Sequence, residues 1–186
     1  MKLFFFDLET TGTNPGKHGI HQISGKIVID GVVKETFDFK VQPNPKALID
    51  DKALEVGGVT KEQILAYPPM HDVYLQLVGM LGKYVDKYDR KDKFFLVGYN
   101  NAAFDNNFFR GFFLQNGDEF FGPWFWSNSV DVMVLASQYL LDRRAEMENF
   151  KLSTVAKFLG IVVEDDHLHD AQYDIDLTKA VYDIVK

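Results

Sequence analysis

Hydrophobic residues crowd the start of the chain. Leu3, Phe4, Phe5 and Phe6 follow one another without polar alternation, and then Asp7-Leu8-Glu9-Thr10-Thr11-Gly12 turns polar. An unbroken apolar run of this length predicts a strand covered on both faces. A second strand is predicted over 20–29 and a third from Val32 to about Val41. Asp30-Gly31 between them carries the signature of a type I′ hairpin turn. The first three strands therefore read as an antiparallel meander.

Beyond Pro43 and Pro45 the period changes. A short helix is predicted near 51–56. Thr60-Lys61-Glu62-Gln63 has capping-box spacing and predicts another, ended by Pro68-Pro69. Val73, Leu77, Val78, Leu81, Tyr84, Val85 and Tyr88 recur at helical spacing, which predicts a helix over 71–88. Residues 94–98 read as a buried strand. A helix is predicted over 103–115, stopped by Asn116-Gly117. The next stretch, 117–128, is a loop loaded with Phe120, Phe121, Trp124, Phe125 and Trp126. These aromatics suit a packed flap or a subunit contact better than a stacking platform, since such clusters bury area first. Ser129 is a candidate cap for a helix reaching 141, and 142–149 a charged connector. A short helix over 153–159 closes at Gly160. Residues 161–163 offer a last short strand. A final helix opens at His169 or Asp170 and reaches Val185. Three hairpin strands followed by helix–strand alternation imply an α/β fold with a mixed sheet flanked by helices.

The length, 186 residues, suits one domain with a sizeable core. Cysteine is absent, which excludes disulfides, thiolate metal sites and cysteine nucleophiles. No apolar run approaches the roughly 20 residues of a membrane span. The N-terminus does not read as a signal peptide, so a cytoplasmic location and no membrane partner are expected. The net charge of −7 argues against broad duplex binding, which favours a basic patch.

Asp7 and Glu9 are two residues apart, so on a strand they share a face. Two carboxylates side by side at a buried position repel each other and lose solvation. A divalent cation relieves this, and both are hard oxygen donors of the kind that hold Mg²⁺ or Mn²⁺. Taken alone, the pair reads more readily as acids at a solvated strand end. Asp105 alone reads as a first-turn helix acid. Asp174 reads as a solvated one, and His169 as a surface or capping histidine. His18, His21 and His71 have no motif partner, and His167 reads as loop surface.

Together, the acids change the reading. Asp7-Leu8-Glu9-Thr10-Thr11-Gly12, Asn101-Ala102-Ala103-Phe104-Asp105 and His169-Asp170-Ala171-Gln172-Tyr173-Asp174 resemble, in order, the three motifs of the DEDDh 3′→5′ exonucleases. That family includes the proofreading epsilon subunit of the bacterial replicative polymerase, ribonuclease T and oligoribonuclease. Asp131 also matches a recurrent acid of the family, and 152–161 resembles the stretch before its third motif. The resemblance implies a ribonuclease-H-like fold with a five-stranded mixed sheet, over one exonuclease domain spanning 1–186. It implies that Asp7, Glu9, Asp105 and Asp174 bind two Mg²⁺ or Mn²⁺ ions and that His169 is the general base. It also implies that Leu8, Thr10, Thr11, Asn101 and Phe104 hold the terminal nucleotide of a single-stranded 3′ end. A polymerase or a second copy of the chain is an implied partner. Two positions depart from the family: Asn100 and Gly57 stand where it often carries histidine.

Overall fold

A computed structural model describes residues 1–164 and 170–186; the predicted general base His169, and His167, lie outside the described residues. Five strands form one sheet: β1 (Lys2–Thr10), β2 (Ile20–Ile29), β3 (Val32–Lys40), β4 (Phe95–Gly98) and β5 (Val130–Asp131), in the spatial order β3-β2-β1-β4-β5. β1, β2 and β3 pair antiparallel, and β4 and β5 add parallel to β1. Asp30 and Gly31 both take positive φ (51° and 81°), as a type I′ turn demands.

Seven α-helices occur among the described residues: α1 (Asp51–Val56), α2 (Lys61–Leu65), α3 (Met70–Leu81), α4 (Asp105–Gln115), α5 (Val132–Tyr139), α6 (Leu152–Phe158) and α7 (Ala171–Val185). The capping box at α2 is complete: Thr60 accepts from the Gln63 amide, and the Gln63 side chain accepts from the Thr60 amide. The alternation along β1 sorts the layers. Phe4, Phe6 and Leu8 point to a phenylalanine-rich core with α3 and α4, and Leu3 and Phe5 to a second core with α5, α6 and α7. The aromatic loop closes the first core. Phe121, Trp124 and Phe125 are buried there, while Phe120 stays exposed.

Several boundaries differ from the sequence reading. The fifth strand is β5, not 161–163. Val162 faces solvent, and its neighbours Ile161 and Val163 pack on the second core without pairing. β5 leaves no signal in the sequence because two residues carry no period. The predicted helix over 71–88 ends at Leu81, where Gly82 caps it by donating to the Val78 and Met80 carbonyls. Tyr84 and Val85 keep the helical apolar spacing from a turn, which Lys2 braces through the Tyr84 carbonyl and an ion pair with Asp92. α5 is capped by Asp131 rather than Ser129. The charged connector holds a 3-10 turn over Leu141–Glu146.

Phe109 is fully buried and packs its ring against Phe4, Phe6, Phe113, Phe121 and Phe125. Phe109→Ala should therefore cost about 3–5 kcal/mol in urea unfolding. The exposed Phe120→Ala should stay within about 0.5 kcal/mol. Equal effects would mean that the ring cluster does not hold the helical layer.

Candidate active site

Asp7 and Glu9 continue the side-chain row of Leu3 and Phe5 past the end of the second core. The hydrophobic face of β1 therefore becomes acidic at its carboxyl end. β4 runs parallel to β1 and ends nearby, so the site lies where an open α/β sheet commonly binds ligands. Each layer supplies an acid. Asp105 comes from the first turn of α4, on one side of the sheet, and Asp174 from the first turn of α7, on the other.

Hydrogen bonds fix these acids from outside the cluster. Asp105 is buried, and its carboxylate accepts from the backbone of Leu8, which ties α4 to β1. Asp170 caps α7 by accepting from the amides of Gln172 (2.9 Å) and Tyr173 (3.2 Å). Gln172 donates to the Phe37 carbonyl at 2.6 Å, and Lys26 pairs with Asp176, so α7 is anchored to β2 and β3. Asp131 accepts from the amides of Asn100 (3.0 Å), Ala102 (3.3 Å) and Met133 (3.0 Å). It thereby holds the loop that delivers Asp105.

The other predicted contacts divide. Leu8 turns its side chain into the first core, and half-buried Thr10 donates to the Gly12 carbonyl at 2.8 Å. Thr11 is fully buried. Its hydroxyl donates to the Leu48 carbonyl (2.6 Å) and accepts from the Gly19 amide (2.9 Å), so it is committed to the turn. Asn101 is also fully buried and donates to Asn106 at 3.3 Å. Both are placed as supports under the site rather than on its surface. Phe104 is half-buried and packs its ring, tilted by 51°, against Phe108, with ring centroids 5.0 Å apart.

His21, which has no motif partner in the sequence, is a buried neighbour of the site. The β1–β2 register slips between Glu9 and Thr10, and His21 is the extra residue of that bulge. Such bulges re-aim a side chain. Neither ring nitrogen has a partner among the described residues. A side chain at Gly57 would start 3.6 Å from a Glu9 carboxylate oxygen and 3.7 Å from the His21 ring. Gly57 thus brings no side chain against Glu9 and His21. Sequence periodicity could not have found His21, because a bulge breaks the period.

The electrostatics are those of crowded acids. Burial, then the charges of Asp105, Glu9 and Asp174, push Asp7 well above the usual carboxylate range. Burial, then Asp174, raises Glu9 to about 7, with Lys40 opposing. Burial raises Asp105 to about 7 against the hydrogen bonds from the Asp105 and Leu8 backbone. His21 is lowered to about 4 by burial and then by Lys40, so its ring is neutral. Among the described residues no three His, Asp or Glu side chains are drawn into a closed cation cage. The four carboxylates are gathered but open. A half-buried, self-repelling set of hard oxygen donors fits divalent cations.

Raised carboxyl values mean that the folded state holds protons the unfolded chain has lost. This contribution to stability is present below about pH 4 and is lost as pH rises through about 7, the value for Glu9 and Asp105. Asp7→Asn should therefore raise the melting temperature of the metal-free protein at pH 8, by about 2–4 °C per kcal/mol relieved. At pH 5 the gain should shrink, and added Mg²⁺ should stabilise the wild type more than the variant. A gain that does not vary with pH would show that carboxylate repulsion is not its source.

Known proteins are similar to this chain in sequence and in fold. The family model described as exonuclease (RNase T) matches residues 4–182. The chain is 27% identical over 169 residues to the PolC-type DNA polymerase III of Mycoplasmopsis pulmonis, covering 91% of this chain and 10% of the polymerase. It is 29% identical over 181 residues to the PolC-type enzyme of Clostridium perfringens, covering 97% and 11%. Escherichia coli exonuclease I in complex with a dT13 oligonucleotide superposes with a TM-score of 0.78 at 26% identity, over 100% of this chain and 41% of that one. The chain thus spans about a tenth of the polymerases and two fifths of exonuclease I. With a mixed sheet of ribonuclease-H-like order and acids of the DEDDh pattern at its carboxyl edge, the chain belongs to the exonuclease family.

Proposed function

We propose that this chain is a metal-dependent 3′→5′ exonuclease that shortens single-stranded nucleic acid and releases nucleoside 5′-monophosphates. The observation that carries the reading is the meeting of Asp7, Glu9, Asp105 and Asp174, from the sheet and both helical layers, at one sheet edge. The similarity to an exonuclease I solved with an oligonucleotide, and to PolC-type polymerases, favours DNA.

The four carboxylates would hold two Mg²⁺ or Mn²⁺ ions. Bound there, the ions supply a nucleophile at neutral pH and offset charge on the leaving oxygen. The chain does the rest. The Leu8 backbone hydrogen bond orients Asp105, and the Asp131 bonds keep its loop in register. His169, two residues before α7 in sequence, takes the proton of the attacking water as general base. Water attacks the last phosphodiester, the 3′ oxygen of the preceding nucleotide leaves, and the strand ends in a new 3′-hydroxyl. Leu8, Thr10 and Phe104 shape the seat of the terminal nucleotide, with Thr11 and Asn101 behind them.

A second reading rests on the PolC-type relatives: the chain is a proofreading unit of a polymerase, with little turnover alone.

With a 5′-labelled DNA oligomer and Mg²⁺, a ladder shortening from the 3′ end is expected. EDTA should abolish it. Asp7→Ala should lower the rate by about a thousandfold or more, matching several kcal/mol of lost charge stabilisation. Shortening that survives EDTA would overturn the metal assignment. Shortening only after addition of a polymerase would select the proofreading reading.

A further inference from the structure

A groove of about 690 Å³ lies on the β4–β5 side. Asp174 is one of its lining residues, so the groove adjoins the candidate site. Its volume is in the range of small-molecule sites, about 300–1,000 Å³. Tyr99 and Phe150 give it aromatic walls, and Asn100, Lys151 and Ser153 give it polar ones.

The walls are braced. The Tyr99 hydroxyl donates to the Phe150 carbonyl at 2.7 Å. Asn149 accepts from the Lys151 amide (3.0 Å) and the Thr154 hydroxyl (2.7 Å). Asn100 is held through its amide by Asp131 and takes φ 63°. The Arg144 guanidinium lies 5.2 Å from the centre of the Phe150 ring. In a chain of net charge −7, Arg144 and Lys151 place positive charge on the flank of an acidic site. Aromatic faces beside cations are what single-stranded nucleic acid binds, by base stacking and phosphate neutralisation.

The sheet order gives the direction. Gly57 and His21 lie beside Glu9 on the β2 side of β1, and the groove lies on the β4–β5 side. A strand whose last phosphodiester sits at the carboxylates must occupy both flanks. On the exonuclease reading, the flank of Leu8, Thr10 and Gly57 takes the terminal nucleotide. We propose that the Tyr99–Phe150–Lys151 groove takes the nucleotide on the 5′ side of the cleaved bond, with its base toward the aromatic walls and its phosphate toward Lys151. This deepens, and rests on, the exonuclease reading above.

Two substrates separate this subsite from the rest. The 4-nitrophenyl ester of thymidine 5′-monophosphate keeps the terminal nucleotide and its phosphate but carries nitrophenol where the preceding nucleotide would be. A short DNA oligomer carries both nucleotides. In Lys151→Glu the ratio of kcat/KM for oligomer over ester should fall about fivefold or more, through KM, and the salt dependence of the oligomer KM should become shallower by about one contact. Ser153→Lys, which adds a charge to the same wall, should move both readouts the opposite way. If both variants leave the oligomer-to-ester ratio where it is in the wild type, the groove is not a nucleotide subsite. A wild type that turns over neither substrate would overturn the exonuclease reading instead.

Discussion

Four carboxylates that repel one another are held at one edge of a sheet, and the rest of the structure exists to keep them there. Burial and mutual charge raise Asp7, Glu9 and Asp105, so each disfavours its own ionised form in the folded state. The crowding is tolerable because the opposing forces are distributed. On one side the phenylalanine core clamps α4, and with it Asp105, onto β1. On the other, Ile175, Leu177 and Val181 seat α7 on the sheet and carry Asp174 in. Neither helix could retreat from the acids without exposing a large apolar face, and that costs more than the repulsion relieves.

Aromatic rings are a reasonable material for such a clamp. Large flat side chains bury much area per residue and lock by edge-to-face contact, so few residues set the helix–sheet spacing. Most of the 17 phenylalanines lie on the face that holds Asp105, while the α7 face is mainly aliphatic. The polar supports are equally local. Asp131 ends β5, caps α5 and holds the Asn100–Ala102 loop, so one carboxylate joins three elements behind the site.

Much of this was legible in the sequence because the signals were local. The apolar run ending at Asp7 and Glu9, the Asp30-Gly31 turn and the Thr60–Gln63 box each specify their own geometry. The α/β class followed from the order of the elements, and the acidic quartet from the resemblance to the three exonuclease motifs. The failures share one physical cause: each depends on a partner distant in sequence. β5 is two residues that form a strand only because β4 lies beside them. The helix expected to reach Tyr88 kept its apolar period, but Gly82 released the backbone and Lys2 captured the next turn. Thr11 and Asn101 share motifs with the site residues, yet their neighbours bury them. His21 follows from a slip in pairing that no single strand records.

The departures at Gly57 and Asn100 fall on opposite flanks of the carboxylates, and this bears on how an acidic protein can hold a polyanion. Two of its cations stand at the site itself. Lys40 stands beside Glu9 on the Gly57 flank, where it lowers the Glu9 pKa, and Lys151 lines the groove on the Asn100 flank. Between them the carboxylates repel a phosphate unless cations intervene. Such a layout admits a strand only where it crosses the acidic centre with support on both sides. On the proposed exonuclease reading, selectivity for a flexible single strand would follow from where a few charges lie, and the net charge of the chain would not oppose it.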